Sequence, residues 1–464
     1  MRFGAPDGSL TRFSGVAALA ELVERLGVVG LLDRHVGPVK TRDRGVSAGA
    51  LLVGLAQCQL LGGNALVALD RQRADVAAGT LSAVPPVPAT TAASVARRFG
   101  PAQRAGIESG VAALLARVFA LLPARRRAAL AAAGPTIDMD STDVEVYGRS
   151  KAGVAYNYAG QRAGRPHLAT WAEAGITVAA ELLAGNDDVR PRAAAMLGRA
   201  LAALPAPVRD ADPEGDRRPR VRADAGYFTA DLARAAVEAD CDFAIAAKRN
   251  TAIWRALAAI PDRDWVPARD MPGAEVAACD YAPAGWPPES YTIVRRVRVQ
   301  AAEISADPRS RRRRTIDPDQ LTLALEGSAT HAFAVSFIVT NIPAWTEEDL
   351  VTTEAWFRRR TDIEDRIREA KLGAALRRLP SGDHAVNTVW MWAALLAGNL
   401  SVILQALAGL DGGGRAHAAR LRHDLLCVPA RVLRHARGLT LRLPPGPQIL
   451  PEVLARLRAL PRPA

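Results

Sequence analysis

The segment from Phe357 to Lys371 constrains the fold of this chain more than any other part of its sequence. Arg360, Glu364 and Lys371 follow Phe357 at offsets of 3, 7 and 14 residues, which return to one stripe of an α-helix. The spacing predicts one helix on which an aromatic ring, a guanidinium, a carboxylate and an ammonium face the same way. A lone carboxylate flanked by cations suits a metal ligand beside a polyanion. Glu369 lies about 140° round the helix from Glu364 and falls off this stripe.

Two upstream segments carry aspartates in contexts that are typical of strands. Residues 136–141 alternate apolar and polar side chains and contain Asp138 and Asp140, and Asp224 ends a short apolar run. Carboxylates from distant segments can hold two Mg²⁺ ions roughly 3.5–4 Å apart, an arrangement that cuts phosphodiesters. We predict Asp140, Asp224 and Glu364 as this catalytic, metal-binding trio. Asp138, on the same face of the strand, is the alternative to Asp140, and a helix N-cap is the alternative role of Asp224.

These motifs carry a resemblance to a known family. The two upstream segments read IDMDST at residues 137–142 and RADAGYF at residues 222–228. Together with the helix described above, they make the chain resemble the DDE transposases of bacterial insertion sequences. Within that group it is similar to the branch with a Tyr-Arg-Glu-Lys signature, and most closely to insertion-sequence family thirteen-eighty. The signature has the same spacing as this chain, which carries Phe357 in place of the tyrosine.

The resemblance implies an α/β fold with a ribonuclease-H-like catalytic core interrupted by a β-rich insertion, and an N-terminal helical DNA-binding region. Apolar periodicity is compatible with this order of helices and strands, but does not name the fold by itself. The boundaries that we expect are 1–130 for the helical DNA-binding region, 131–249 for the first part of the core, 250–340 for the insertion, 341–410 for the glutamate helix and the helix after it, and 411–464 for a C-terminal tail.

The resemblance also implies roles for individual residues. Asp140 is preferred to Asp138 because a hydroxyl pair follows it, as in related transposases. Arg360 and Lys371 would contact phosphates, although Arg360 at i,i+4 from Glu364 could equally form an intrahelical ion pair. Phe357 keeps the ring of the family's tyrosine without its hydroxyl and is expected at the DNA.

The N-terminal segment 89–100 predicts a helix capped by one of its threonines. Its Arg97 and Arg98 are candidate phosphate contacts of a helix-turn-helix, and an ordinary solvated basic helix is the alternative. The resemblance implies that this region helps to recognise the terminal inverted repeats of the element.

The charge of the chain favours a polyanionic partner. Lys and Arg number 60 against 48 Asp and Glu, which gives a formal net charge of +12 and a pI near 10.2. An Arg-rich coding bias is the alternative explanation. Four cysteines without CxxC spacing argue against a zinc site and a disulfide framework.

Two features bear on where the protein works. The N-terminus lacks the apolar stretch of a secretory signal. The apolar segment 386–410 has enough length to cross a membrane but carries polar residues and follows the glutamate helix, so we predict a buried core helix. We therefore expect a cytoplasmic, nucleoid-associated protein without a membrane partner.

Together, these expectations predict that the protein is a cut-and-paste DNA transposase. It would bind double-stranded DNA at the terminal inverted repeats, pair two ends as a homodimer, cleave them and join them to target DNA. Mg²⁺ is the expected cofactor, with Mn²⁺ as a substitute. The alternatives are a metal-dependent nuclease without strand transfer and a catalytically inactive DNA-binding derivative. Strand-transfer products distinguish the first alternative, and metal-dependent cleavage distinguishes the second.

Overall fold

The N-terminal part of the chain is helical. The computed structural model describes residues 1–40, 45–132, 134–210, 218–310, 312–436 and 438–462. The first elements are β1 (Leu10–Thr11), α1 (Val16–Leu26), α2 (Val28–Val36), α3 (Ala48–Leu60), α4 (Ala68–Ala74), α5 (Val76–Leu81), α6 (Ala89–Ala96), α7 (Pro101–Leu121) and α8 (Ala124–Ala132).

Two N-terminal helices differ from the sequence-based expectation. The apolar periodicity over residues 16–32 is split into α1 and α2 by Gly27, whose φ of 59° lies in the left-handed region that ends helices. The expected threonine cap of α6 is wrong, because the helix starts directly after Pro88 and has no side-chain cap.

The central feature of the fold is one mixed sheet of eleven strands within the described residues. Its order is β3-β5-β2-β7-β8-β12-β11-β10-β9, and β4 and β6 also pair with β5. The strands are β2 (Thr136–Ser141), β3 (Val144–Glu145), β4 (Ala155–Tyr156), β5 (Arg162–Trp171), β6 (Ile176–Ala184), β7 (Arg220–Ala223), β8 (Asp242–Ala246), β9 (Val266–Pro267), β10 (Ala274–Cys279), β11 (Tyr291–Gln300) and β12 (His331–Thr340).

The middle of this sheet positions the site. β2, β7 and β8 run parallel to one another, whereas β5 pairs antiparallel with both β2 and β6. The connections after β6 and β7 are helical, as parallel neighbours require. They contain α9 (Arg190–Ala202), α10 (Ala206–Arg209) and α11 (Ala230–Glu238). α9 and α11 pack against each other and against the sheet.

The strands between residues 250 and 340 continue the same sheet. β12 pairs with β8 on one side, where Ile338 lies opposite Ala246, and with β11 on the other. The segment therefore adds strands to the edge of the central strands, with α12 (Thr251–Ala258) and α13 (Pro318–Leu325) between them.

The predicted single helix around Glu364 is wrong in its continuity. The structure has α14 (Glu347–Arg358) and α15 (Thr361–Arg368), followed by a π-helical turn at Glu369–Gly373. At the break the Arg360 amide donates to the Phe357 carbonyl at 2.9 Å, a tighter i→i−3 bond, and the Thr361 hydroxyl donates to the Arg358 carbonyl at 3.3 Å. Such local bonds compete with the regular helical ladder.

The last long helix is a core helix, as predicted. α16 (His384–Leu407) is apolar and long enough to cross a membrane, but 89% of its most apolar window is buried inside the protein. It packs against α3 and β6 and so joins the N-terminal helices to the sheet. The chain then forms α17 (Ala418–Leu421), β13 (Ala430–His435), β14 (Gly438–Arg442) and α18 (Leu450–Arg458). β13 pairs with both β1 and β14, and α18 packs on α1.

Candidate active site

The parallel pairing of β2 and β7 brings the two predicted aspartates together. Met139 lies opposite Ala223 in this pairing, and Asp140 and Asp224 are the next residues on the two strands. Because parallel strands end at the same edge of a sheet, the two carboxylates project from neighbouring strand ends. The long sequence separation of the two aspartates is therefore closed by sheet register alone.

The charges of the predicted trio and of Arg360 all act on Asp140. The pKa of Asp140 is raised to about 6, first by burial and second by the negative charge of Asp224. Glu364 acts in the same direction, whereas the Arg360 guanidinium opposes the rise. Neighbouring carboxylates disfavour the charged form of a carboxyl group, which explains the direction of this shift.

Asp224 lies directly after β7 and caps a short turn. Its Oδ1 accepts a hydrogen bond from the Gly226 amide at 2.8 Å, at the start of the 3₁₀ turn Ala225–Tyr227. The alternative role as N-cap of α11 is wrong, because Thr229 caps that helix by accepting from the Asp231 amide. The capping bond uses one oxygen of Asp224.

Arg360 lies between the other two carboxylates. Its Nη1 is 3.5 Å from Asp140 Oδ2 and its Nη2 is 3.7 Å from Glu364 Oε1. The intrahelical i,i+4 pair that the sequence offered as an alternative is therefore present, and the same guanidinium also reaches across to β2. The Glu364 side chain is 60% exposed, so it has room to move towards a ligand.

Asp138 is excluded as the free carboxylate of β2 by its ion pair. Arg222 on β7 donates from Nε to Asp138 Oδ1 at 2.7 Å and from Nη2 to Oδ2 at 2.8 Å. Both side chains are buried. Since both oxygens of Asp138 are occupied by this fork, Asp140 is the carboxylate that faces the site.

Lys371 reaches the same edge from the π-helical turn. Its Nζ donates to the Asp143 carbonyl at 2.9 Å, and burial lowers the pKa of this ammonium while Asp143 and Asp140 raise it. The expected alignment of Lys371 on one helical stripe is wrong, because the π turn shifts it. π turns occur often at functional sites.

Phe357 and its neighbour Trp356 serve as packing residues. Phe357 packs with Leu350 of α14 against strands β10, β11 and β12. Trp356 donates from Nε1 to the Thr136 hydroxyl at 3.2 Å, and the guanidinium of Arg222 lies 5.0 Å from its ring centroid. Phe357 is not in the group around Asp140 that the electrostatics define, and its predicted DNA contact stays a prediction.

Arg97 and Arg98 lie away from the carboxylates. They follow the C-terminal end of α6, and Arg97 Nε is 3.8 Å from Asp383, which caps α16. Arg98 is exposed. Their predicted role as phosphate contacts stays a prediction, and the structure places them beside the N-terminus of α16.

A tyrosine that the sequence analysis did not single out completes the site. Tyr227 is buried, and its hydroxyl makes no full hydrogen bond among the described residues, although the Ser141 side chain of β2 lies beside it. Burial raises the pKa of Tyr227 well above its usual value, the charges of Asp140 and Asp224 act in the same direction, and Ser141 opposes them. Its ring centroid is 5.6 Å from that of His167, whose Nδ1 lies 2.9 Å from Glu181. The position of Tyr227 within the RADAGYF motif was the available signal.

The donor set has the chemistry of a site for a hard divalent cation. Asp140, Asp224 and Glu364 offer the carboxylate oxygens that Mg²⁺ or Mn²⁺ prefers. Among the described residues no three His, Cys, Asp or Glu side chains lie close enough to hold a metal ion, so these carboxylates would have to move closer together to bind one. In this structure the Arg360 guanidinium supplies the positive charge between Asp140 and Glu364.

The sequence matches the family described as Transposase DDE domain group 1 over residues 5–309 and 317–462. The chain belongs to this family. DDE transposases cleave DNA and depend on divalent cations, which agrees with carboxylates gathered at one strand edge. The chain is thus a transposase of the DDE type.

Two further comparisons were made for this DDE transposase. A search among curated proteins finds no match. Among solved structures, it is similar to the transposase in a cryo-EM structure of a piggyBac transposase synaptic complex with hairpin DNA. The TM-score is 0.38 at 10% sequence identity, and the similarity covers 89% of this chain and 79% of that chain.

Proposed function

We propose that this DDE transposase moves a bacterial insertion sequence by a cut-and-paste reaction. It binds the terminal inverted repeats of the element, pairs two ends as a homodimer, cleaves them and joins the 3′-hydroxyls to target DNA. The placement of Asp140 and Asp224 at neighbouring parallel strand ends, with Arg360 between Asp140 and Glu364, carries this proposal. The protein acts in the cytoplasm on the nucleoid.

The topology supports a ribonuclease-H-like core. The strands that surround the site have the order β6-β5-β2-β7-β8, with β5 antiparallel to its neighbours and helices after β6 and β7. In this proposal residues 131–249 and 341–410 form the core, and residues 250–340 form the β-rich insertion. Residues 1–130 are the DNA-binding region, and residues 411–464 are the tail.

Asp140, Asp224 and Glu364 would hold the divalent cation, Mg²⁺ or Mn²⁺. When bound, the cation supplies charge neutralisation at the scissile phosphate and activation of the attacking oxygen. The residues of the chain position the DNA around it. Arg360 is suited to fork onto a phosphate once it leaves the carboxylates, and Lys371 supplies a point charge at the same edge.

The Arg360, Glu364 and Lys371 spacing supports membership of the Tyr-Arg-Glu-Lys branch and of insertion-sequence family thirteen-eighty. Phe357 departs from the signature at the tyrosine position. Since Phe357 lies on α14 and packs against the sheet in this structure, the departure leaves the carboxylates and cations of the site unchanged.

Cleavage of a duplex with the ends of the element and their genomic flanks tests the proposal. We expect end-specific cutting with Mg²⁺ by the wild type, and binding without cutting by Glu364→Ala. Asp365→Ala is a matched control, because Asp365 is the adjacent carboxylate and, among the described residues, its ion pair is with the exposed Arg368 on its own helix. The control variant should cut as the wild type does.

The same assay separates the alternatives. Cutting without products joined to target DNA would favour a metal-dependent nuclease. Binding without cutting by the wild type would favour an inactive DNA-binding derivative. Cutting that survives in Glu364→Ala would show that another carboxylate acts in the reaction.

A further inference from the structure

Three exposed tyrosines lie close together on the loop that connects β3 to β5. Tyr147, Tyr156 and Tyr158 are 87%, 69% and 96% exposed. They are half of the six tyrosines in the chain. Single exposed apolar side chains are common, but a group of large aromatic rings in one short loop is not. This group, which we call the tyrosine loop (residues 147–161), therefore requires an explanation.

The loop is held in place by its own polar contacts. Asn157 is buried, donates to Asp143 Oδ2 at 2.8 Å, and accepts at Oδ1 from the amides of Ala159 and Gln161. The Lys151 ammonium donates to the Leu379 carbonyl at 2.5 Å. Because these contacts fix the backbone of the loop, it has little backbone freedom to lose on binding.

The three rings lie around one end of β5. Tyr156 is opposite Arg162 in the pairing of β4 with β5, and Tyr158 is two residues further along. On the other side, the amide of Val146 donates to the Arg162 carbonyl at 2.8 Å, and Tyr147 is the next residue. Neighbouring strands lie about 4.8 Å apart, so the two segments that flank Arg162 are about 10 Å apart.

The loop begins close to the catalytic edge. The Asp143 carboxylate accepts a hydrogen bond from Asn157, and the Asp143 carbonyl accepts one from the Lys371 ammonium. Asp143 lies three residues after Asp140. Tyr147 is seven residues after Asp140, and an extended chain of that length spans at most about 25 Å. A DNA strand that leaves the site can therefore reach the rings within a few nucleotides.

The charge around the loop is positive on balance. Residues 143–162 and 376–383 contain five cations and three carboxylates, which are Asp143, Glu145 and Asp383. The cations are Arg149, Lys151, Arg162, Arg377 and Arg378. Beyond them lies Arg97, paired with Asp383 next to the segment on which the loop docks. Basic groups that alternate with exposed aromatic rings are the pattern of a surface for single-stranded nucleic acid.

We infer that the tyrosine loop binds unpaired nucleobases of the DNA strand next to the scissile phosphate, by stacking on Tyr147, Tyr156 and Tyr158. The faces of bases within a duplex are covered by their neighbours, so only unpaired or terminal bases can stack on these rings. This inference rests on the proposed function, because a DNA strand lies beside the loop only if the catalytic edge acts on DNA. Stacking tolerates any sequence, since every base has a π-face.

Binding of a short single strand that carries 2-aminopurine tests this inference. The double variant Tyr147→Leu/Tyr158→Leu should bind it about tenfold more weakly than the wild type and should lose the quenching of 2-aminopurine fluorescence that stacking produces. Tyr147→Phe/Tyr158→Phe keeps both rings and should behave as the wild type. Trp345→Leu is the control for loss of an exposed ring, because Trp345 is 88% exposed and lies before α14, about 18 Å from the end of that helix near Arg360.

The outcomes separate this inference from the proposed function. Unchanged binding and quenching by the leucine variant would overturn the tyrosine loop as a base-stacking surface. If that variant instead altered the molar mass in light scattering, the rings would be a contact for a second copy of the chain, which also overturns the inference. A wild type that cleaves its DNA ends but fails to quench 2-aminopurine would refute the loop alone. A wild type that binds neither single-stranded nor duplex DNA would refute the proposed function.

Discussion

Arg222 and Asp138 form a two-pronged ion pair across the neighbouring strands β7 and β2, with donor–acceptor distances of 2.7 and 2.8 Å. Their side chains are only 3% and 1% exposed. The pair lies directly behind the catalytic edge, because Asp140 follows Asp138 by two residues on β2 and lies on the same face of the strand. It therefore ties the two strands that carry the aspartates of the site and leaves Asp140 as the carboxylate of β2 that faces the site.

Removal of one partner of this pair should destabilise the protein strongly. In Arg222→Leu the buried carboxylate of Asp138 loses its counter-ion, which costs about 3–5 kcal/mol of unfolding free energy. Urea denaturation followed by circular dichroism measures this loss. Arg190→Ala is the control, since the Arg190–Asp188 pair is 44% exposed on both sides and should contribute less than about 1 kcal/mol.

The double variant Asp138→Leu/Arg222→Leu provides the second half of this test. It removes both charges and should recover much of the lost stability, because no buried charge is left unpaired. If Arg222→Leu alone were as stable as the wild type, the ion pair would not hold β2 and β7 together.

Asp140→Asn should stabilise the protein near neutral pH. The folded-state pKa of Asp140 is raised to about 6 from 3.8, so ionisation of this side chain disfavours the folded state. The wild type loses this stability as pH rises from about 4 to about 6, and the loss is complete above that range. A shift of this size corresponds to about 2–3 kcal/mol.

The difference in unfolding free energy between wild type and Asp140→Asn measures this contribution, because other titrating groups cancel. It should be largest at about pH 7–8 and should shrink towards zero near pH 4. A difference that stays constant with pH would mean that the carboxylate charge is not the cause. The same variant should lose DNA cleavage, which is the usual trade between stability and function at an active site.

Much of the central sheet could be predicted from the sequence, because buried strands show a clear pattern of apolar residues. The strand predicted at residues 136–141 is β2 without change, and the short apolar run that Asp224 ends contains β7. The position of Asp140 and Asp224 on one edge follows from these strands only when their parallel register is known, and register depends on contacts distant in sequence.

The helix with Glu364 could not be predicted in detail. The sequence pattern is helical on both sides of Arg360. The hydrogen bond of the Thr361 hydroxyl and a tighter backbone turn nevertheless separate α14 from α15. Arg360 and Glu364 still form their i,i+4 pair, because Arg360 directly precedes α15 and Glu364 lies in the first turn of that helix. The place of Lys371 does not follow from the period, since a π turn intervenes.

Tyr227→Phe should slow DNA cleavage while leaving the fold intact. The hydroxyl is buried beside Ser141 without a full hydrogen bond among the described residues, so its removal loses at most a weak interaction and should not lower stability. We expect cleavage to fall about tenfold, on the physical ground that such a group persists where it serves a ligand. Tyr291→Phe is the control, because its hydroxyl already donates to the Ile342 carbonyl at 2.8 Å, away from the site.

Two measurements check this expectation. Thermal unfolding of Tyr227→Phe should match or exceed that of the wild type, and single-turnover cleavage of end DNA should report the rate. Wild-type cleavage by the variant would show that the hydroxyl has no part in the reaction, and its burial would then be only a packing consequence.

Arg360→Gln should have opposite effects on cation binding and on cleavage. The guanidinium is 3.5 Å from Asp140 and 3.7 Å from Glu364, where it repels a divalent cation that would share those carboxylates. Two unit charges at such a distance interact by up to about 4 kcal/mol near a protein surface. Loss of the positive charge should therefore tighten Mn²⁺ binding about tenfold, as measured by electron paramagnetic resonance on EDTA-treated protein.

Cleavage by the same variant should fall by about a hundredfold, because glutamine cannot neutralise or fork onto a phosphate at the cut. Arg359→Gln provides the matched control: it makes the same change of charge at the adjacent, exposed position and should alter neither quantity. Tighter Mn²⁺ binding together with slower cleavage would identify Arg360 as a cation that holds the carboxylates until metal and DNA arrive. If Mn²⁺ affinity were unchanged, the three carboxylates would bind their cation at a point that the guanidinium does not occupy.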